Sequence, residues 1–260
     1  MSRKYFVSKG SSGSCLWGLY VSEPSLAETK PSSGIRVLSY GLNAAIPPGG
    51  GAAVCPALGQ GVTGDQIPDD TKPGDVLDVM GESAYFISPQ CPSAMGLGEP
   101  QVAKATSVVK TGTAPVPASH VMSAADLAEL VSSGDPAFQS QWLSVKIRIE
   151  DVVSEPRSTA QGMAIVDMLG NLLVHSTSIP VPSAADKLQV ATRMFAIFVQ
   201  APSFCAGLPT YANLTTAFSA IEGIGAYGPP GSCGWALQPA SRCLDFTPPS
   251  DDCSNPAACN

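Results

Sequence analysis

Eight cysteines (Cys15, Cys55, Cys91, Cys205, Cys233, Cys243, Cys253 and Cys259) accompany only two histidines, His120 and His175. A zinc site needs Cys or His ligands paired a few residues apart, and no Cys-x-x-Cys pair occurs. The even count and wide spread therefore point to disulfides, and disulfides to an oxidising, extracytoplasmic compartment. Cys253 and Cys259 are expected to close a small loop. The remaining pairings stay open, because spacing alone does not choose among them.

Oxygen ligands are a second chemical possibility. Asp65, Asp69 and Asp70 cluster in one turn-rich stretch, with Asp75 and Asp78 following on an expected strand. Such a run would suit Ca²⁺, which makes Asp65, Asp69 and Asp70 the candidate metal ligands. A twelve-residue loop of alternating ligands is absent, so a solvated acidic loop is the plainer reading. No other cofactor is implied.

Aromatic stacking is a third. Trp17, Tyr20 and Tyr40, with Arg36 beside them, fall on expected strands and form the candidate ligand-binding set, able to stack bases or sugars. Catalytic signatures are missing: no Gly-x-Ser-x-Gly elbow and no Walker loop occurs. His120 follows Pro-Ala-Ser in a connecting stretch, and His175 lies in a strand beside Ser176. The chain is therefore expected to be non-enzymatic.

The elements that must position these residues follow from composition. Among 260 residues, 44% are hydrophobic but only 13% charged, and 25 Gly and 24 Pro punctuate the chain. Long amphipathic helices need more Glu, Lys and Arg than this, which leaves a turn-rich all-β protein. The net charge is −7 and the pI about 4.7, with both halves acidic. Phosphate neutralisation thus lacks a basic arm, and nucleic-acid binding is disfavoured. No apolar run is long enough to span a bilayer as a helix. Met1-Ser-Arg-Lys leads into Tyr5-Phe-Val without an apolar leader core, so the extracytoplasmic reading expects a signal peptide already removed, or a piece of a longer precursor.

Alternating apolar and polar residues predict strands at 16–22, 34–40, 74–83, 101–110 and 143–152. Ser123, with Asp126 three residues on and Leu127, Leu130 and Val131 behind, predicts a capped helix. Residues 119–140 then read as a linker between units at 1–118 and 141–249, with a Cys-containing tail at 250–260. Residues 184–199 fit either helix or strand. The second half repeats the first: Gly162-Met-Ala-Ile parallels Gly18-Leu-Tyr-Val, Gly170-Asn-Leu-Leu-Val parallels Gly34-Ile-Arg-Val-Leu, and Phe218–Gly225 parallels Asp75–Glu82 at nearly equal spacing. Two copies of one β unit are implied. The first unit's opening strand, over Arg3–Lys9, is short beside Leu143–Val152. Either the missing residues were trimmed from the precursor, or such an edge accepts a strand from another copy, giving head-to-tail self-association.

Lys72-Pro-Gly-Asp-Val-Leu-Asp-Val-Met-Gly-Glu-Ser, Gln101-Val-Ala-Lys-Ala and Thr111-Gly-Thr-Ala-Pro-Val-Pro resemble the OB-fold-like domains of secreted bacterial proteins. Those domains occur in predicted lipoproteins and beside extracellular nucleases. The stretch from Gly234 to Phe246 is similar to the closing strand of a second such domain, with its arginine displaced to Arg242. The resemblance implies two tandem small barrels. Its functional implication is an extracytoplasmic or cell-surface binding or assembly module, or else an accessory nucleic-acid-binding module of a secreted nuclease.

Overall fold

The computed structural model describes residues 1–59, 61–87, 98–132, 135–159, 162–165, 171–191, 215–227, 235–241 and 243–249. The protein is all-β, as its composition predicts. The first unit comprises β1 (Tyr5–Lys9), β2 (Ser14–Ser22), β3 (Gly34–Asn43), β4 (Asp75–Phe86) and β5 (Glu99–Thr113). They run in the order β1-β2-β3-β5-β4 and curl into a barrel. Neighbours are antiparallel except β3 and β5, which pair in parallel at Arg36–Gln101 and Val37–Val102. The period of two sends Cys15, Trp17 and Leu19 of β2 inward, onto Val37, Ala105 and Val108. Leu77 and Val79 of β4 complete the wall, and Ile67, from the irregular segment between β3 and β4, plugs the interior.

The stretch expected as a linker is built into the second unit instead. It holds β6 (His120–Met122), α1 (Ala124–Ser132) and α2 (Pro136–Ser140). Ser123 and Asp126 cap α1 reciprocally: the Asp126 amide donates to Ser123 Oγ, and the Ser123 amide to Asp126 Oδ2. Leu127 and Leu130 turn into the second core, and β6 pairs in parallel with the start of β7. Burial of the helix's apolar stripe is what converts a tether into structure.

The second unit contains β7 (Lys146–Ser154), β8 (Arg157–Thr159), β9 (Gly162–Ala164), β10 (Asn171–Ser176), β11 (Leu188–Ala191), β12 (Ala217–Tyr227), β13 (Trp235–Gln238) and β14 (Phe246–Thr247). Five of these form a ring, β7-β10-β11-β13-β12, closed by seven paired positions between β12 and β7. β11 and β13 are parallel, as β3 and β5 are. The two units therefore share strand order and direction, strand for strand. One detail of the expected repeat changes. β10, aligned above with β3, occupies the place of β2, while β9 pairs with β8 in a separate hairpin. An apolar run that follows a glycine marks a strand but not its neighbours, and neighbours set the order.

The units are fused. Tyr5 and Tyr20 of the first barrel lie in the same apolar cluster as Leu143, Ile147, Ile221 and Trp235 of the second. At Gly34 the backbones touch: a Cβ there would stand 1.7 Å from the Ser144 carbonyl oxygen. Only glycine fits that approach.

Candidate functional site

Alternation along β2 separates the candidate aromatics. Trp17 points into the first barrel, whereas Tyr20 points the other way, at the second. Arg36, directly across from Tyr20 on β3, joins it at the junction. Here the buried guanidinium donates from Nε to the Tyr5 hydroxyl at 2.8 Å and from Nη1 to Glu99 Oε2 at 2.9 Å. Ser144, at the entry to β7, donates to the other Glu99 oxygen at 3.1 Å. The rings of Tyr5 and Tyr20 stack with centroids 5.6 Å apart, and the guanidinium lies 5.7 Å from each.

Burial pushes the Tyr5 phenol up to about 12, and burial likewise raises Tyr20 well above its ordinary value. Burial opposes the Arg36 charge, yet Tyr20, Tyr5 and Glu99 outweigh it and hold the guanidinium charged. The cluster is thus a neutralised internal network in which each polar group has a partner, the condition for burying charge at tolerable cost.

Above this network lies an open cleft of about 560 Å³. Its walls come from three places. The end of β2 and the β2–β3 loop supply Ser22, Glu23, Lys30 and Ser33; the β4–β5 pair supplies Tyr85; the end of α2 supplies Ser140 and Gln141. Gly98, opposite Tyr85, lets the ring lie against the backbone: a Cβ there would stand 3.2 Å from Tyr85 Cβ. Tyr85 is 76% exposed. The loop is held by its own bonds, Lys30 N–H to Ser33 Oγ and Ser32 N–H to the Gln141 carbonyl at 2.7 Å. The latter bond ties both units to one wall. Hydroxyls, an amide, an open aromatic face and two opposite charges, Lys30 and Glu23, make the cleft lining polar.

The sequence-derived site residues do not form one surface. Trp17 and Tyr20 are fully buried, Arg36 nearly so, and only Tyr40 is open, at 53% exposure. The second barrel covers the face that Tyr20 and Arg36 share. Nor do Asp65, Asp69 and Asp70 converge on a cation site. Asp65 and Asp69 hold the Lys4 ammonium, at 2.5 and 2.6 Å. Asp70 pairs with Lys110, which also takes Asp75. Among the described residues no group of three or more metal-ligating side chains assembles. An internal lysine occupies the centre those carboxylates would have offered to a metal.

Cys15 and Cys55 form a disulfide, with Cα atoms 5.8 Å apart, that pins the long β3–β4 segment to β2. Cys243 is also disulfide-bonded. Cys91, Cys205, Cys233, Cys253 and Cys259 lie outside the described residues, as does the small loop expected between the last two. His120 sits against Glu28, 3.2 Å away, and over Trp142. His175 bonds the Ser176 carbonyl. Neither faces the cleft.

Sequence reading missed Lys4, Tyr5, Glu99, Ser144 and Tyr85. Lys4 read only as a basic start and Glu99 carried no signal, because their partners lie 61 and 63 residues away. Tyr85 carried a usable signal: an aromatic at the end of an alternating strand, followed by Phe and Ile. Comparison with protein family models, with curated proteins and with solved structures finds no match.

Proposed function

We propose that this chain is a non-catalytic, extracytoplasmic binding module of two OB-like barrels, which takes its ligand in the cleft at their junction. The observation that carries the reading is the composition of that cleft: an exposed Tyr85 ring with serine hydroxyls and Gln141, and Lys30 offset by Glu23. The buried charged groups of the first unit are committed to one another, Arg36 to Glu99 and Lys4 to Asp65 and Asp69. The OB-like assignment is supported by the shared strand order and the parallel β3–β5 and β11–β13 pairs. The extracytoplasmic assignment is supported by the disulfide; among the described residues no helix is long and apolar enough to cross a membrane.

A ring face bordered by hydroxyls and an amide suits a neutral, hydroxyl-rich ligand such as an oligosaccharide. Amide NMR titration with neutral oligosaccharides should shift resonances of Ser33, Gln141 and Tyr85, and Tyr85→Ala should remove the shifts. Silence across the panel counts against the cleft. The rival nucleic-acid module would be retained on a heparin or single-stranded DNA column at low salt and released by added salt. Self-association has its own support, since no ladder joins the outer edges of β1 and β4 among the described residues. Sedimentation at high concentration tests it: a purely monomeric protein removes strand addition from the reading.

A further inference from the structure

The Lys4 cluster does more than neutralise a charge. Nζ has four oxygens around it: Asp65 Oδ1 at 2.5 Å, Asp69 Oδ1 at 2.6 Å, and Thr63 Oγ1 and the Ile67 carbonyl at 2.7 Å. An ammonium has three protons to give, so the shell holds one oxygen too many. The side chains of Lys4 and Asp65 are wholly inaccessible, the Trp17 ring lies 5.1 Å from the ammonium, and Ile67 fills the space beside it. Asp69 differs, with 37% of its side chain open to solvent. One buried ion pair thus meets a second carboxylate that communicates with water. Burying both charges of the inner pair is costly, and a neutral amide would remove that cost.

We infer that Lys4 and Asp65 are joined by an intramolecular isopeptide bond, formed after folding with Asp69 as the proton acceptor. Each part of the reaction has its group in place. Asp69 lies within general-base reach and takes one proton from Nζ, which frees the nitrogen lone pair. The pair adds to Cγ of Asp65. The Ile67 amide, 3.2 Å from Asp65 Oδ2, donates to the oxygen on which charge develops. Thr63 Oγ1 lies 2.7 Å from Asp65 Oδ1 and 2.5 Å from Asp69 Oδ1, so it can relay the proton that lets Oδ1 depart. A second proton from nitrogen completes the water. The balance is –NH₃⁺ plus –COO⁻ giving –CO–NH– plus H₂O; nothing is oxidised or reduced, and no co-reactant is needed. The net charge of the cluster is unchanged, because Asp69 keeps its own. Holding both reactants in one fixed contact supplies the effective concentration that free carboxylate and amine lack.

The bond would tie the lead into β1 to the plug between β3 and β4, beside the Cys15–Cys55 disulfide. It is independent of what the cleft binds. Intact-mass spectrometry of the folded wild-type protein, after disulfide reduction, tests it directly. The expected mass is lower than the sequence mass by one water, with a branched peptide joining the Lys4 and Asp65 segments. Asp69→Asn and Lys4→Arg should each restore the full mass. A full sequence mass in wild-type protein after prolonged incubation overturns the proposal, whether or not the variants fold. So does the loss of water without a branched peptide, which marks a cyclic imide at an aspartate. A crosslinked Asp69→Asn protein would overturn the role given to Asp69.

Discussion

The two barrels have the same strand order but are closed by different means. In the second, β12 and β7 meet along seven paired positions, and the backbone itself completes the ring. In the first, β1 and β4 are the ends of the sheet, and side chains take over. Ile67 fills the interior, Lys4 reaches from the lead into β1 to Asp65 and Asp69, and Cys15–Cys55 fixes the segment that carries the plug. Strand length accounts for the difference: β1 has five residues and β7 nine. A short strand cannot span the barrel's tilt, so unpaired backbone must be covered by other groups. One topology thus tolerates either main-chain or side-chain closure, provided that the core is filled.

The largest effect should come from removing a core filler in the closed ring. Trp235 is 6% exposed, and Gly225 opposite it leaves room for the indole. Trp235→Ala should cost about 3–5 kcal/mol in urea melts. Because Tyr5 and Tyr20 share that core, both units should unfold in one transition; two separate transitions would break the picture of a fused pair.

Next in size is the side-chain closure. Replacing both Cys15 and Cys55 by serine should cost about 2–4 kcal/mol. Hydrogen exchange should locate the loss in the first barrel, with β1 and β4 amides accelerated and the β7–β12 ladder unchanged. Equal acceleration in both units would mean that closure is not local. A smaller effect is expected at the seam, where Gly34→Ala places a methyl against the Ser144 carbonyl. Overpacking of this kind should cost about 1–3 kcal/mol, and tyrosine emission should report displacement of Tyr5 and Tyr20.

Acid should have the gentlest effect, and on the second barrel. Burial acts to raise Glu222, but Ser119, Lys146 and Arg148 outweigh it and hold the carboxyl below 4.5. A lowered folded value means stability that is present above the unfolded value and lost as pH falls through the folded one. Exchange in the β7–β12 region should therefore rise as pH falls below 4.5. Exchange that stays flat there as acid is added would remove the Glu222 cluster from the closure of the second barrel.

Much of the fold was legible because its causes are local. Alternation places β2, β3, β4, β5 and β7, and Ser123 with Asp126 starts α1, since side-chain period and capping act within a few residues. The repeat was also legible as strand-and-glycine spacing, although the place of β10 was not. What only tertiary structure decided were the pairings across distance. Nothing near Lys4 announces Asp65, and nothing near Arg36 announces Glu99. The same alternation that marks Tyr20 and Arg36 as sharing a face does not tell whether water or a second barrel covers it. A strand's pattern encodes two faces, but their assignment depends on which surfaces meet. Here Gly34 lets the barrels approach until Ser144 closes over Glu99, and that contact turns an expected ligand face into a core.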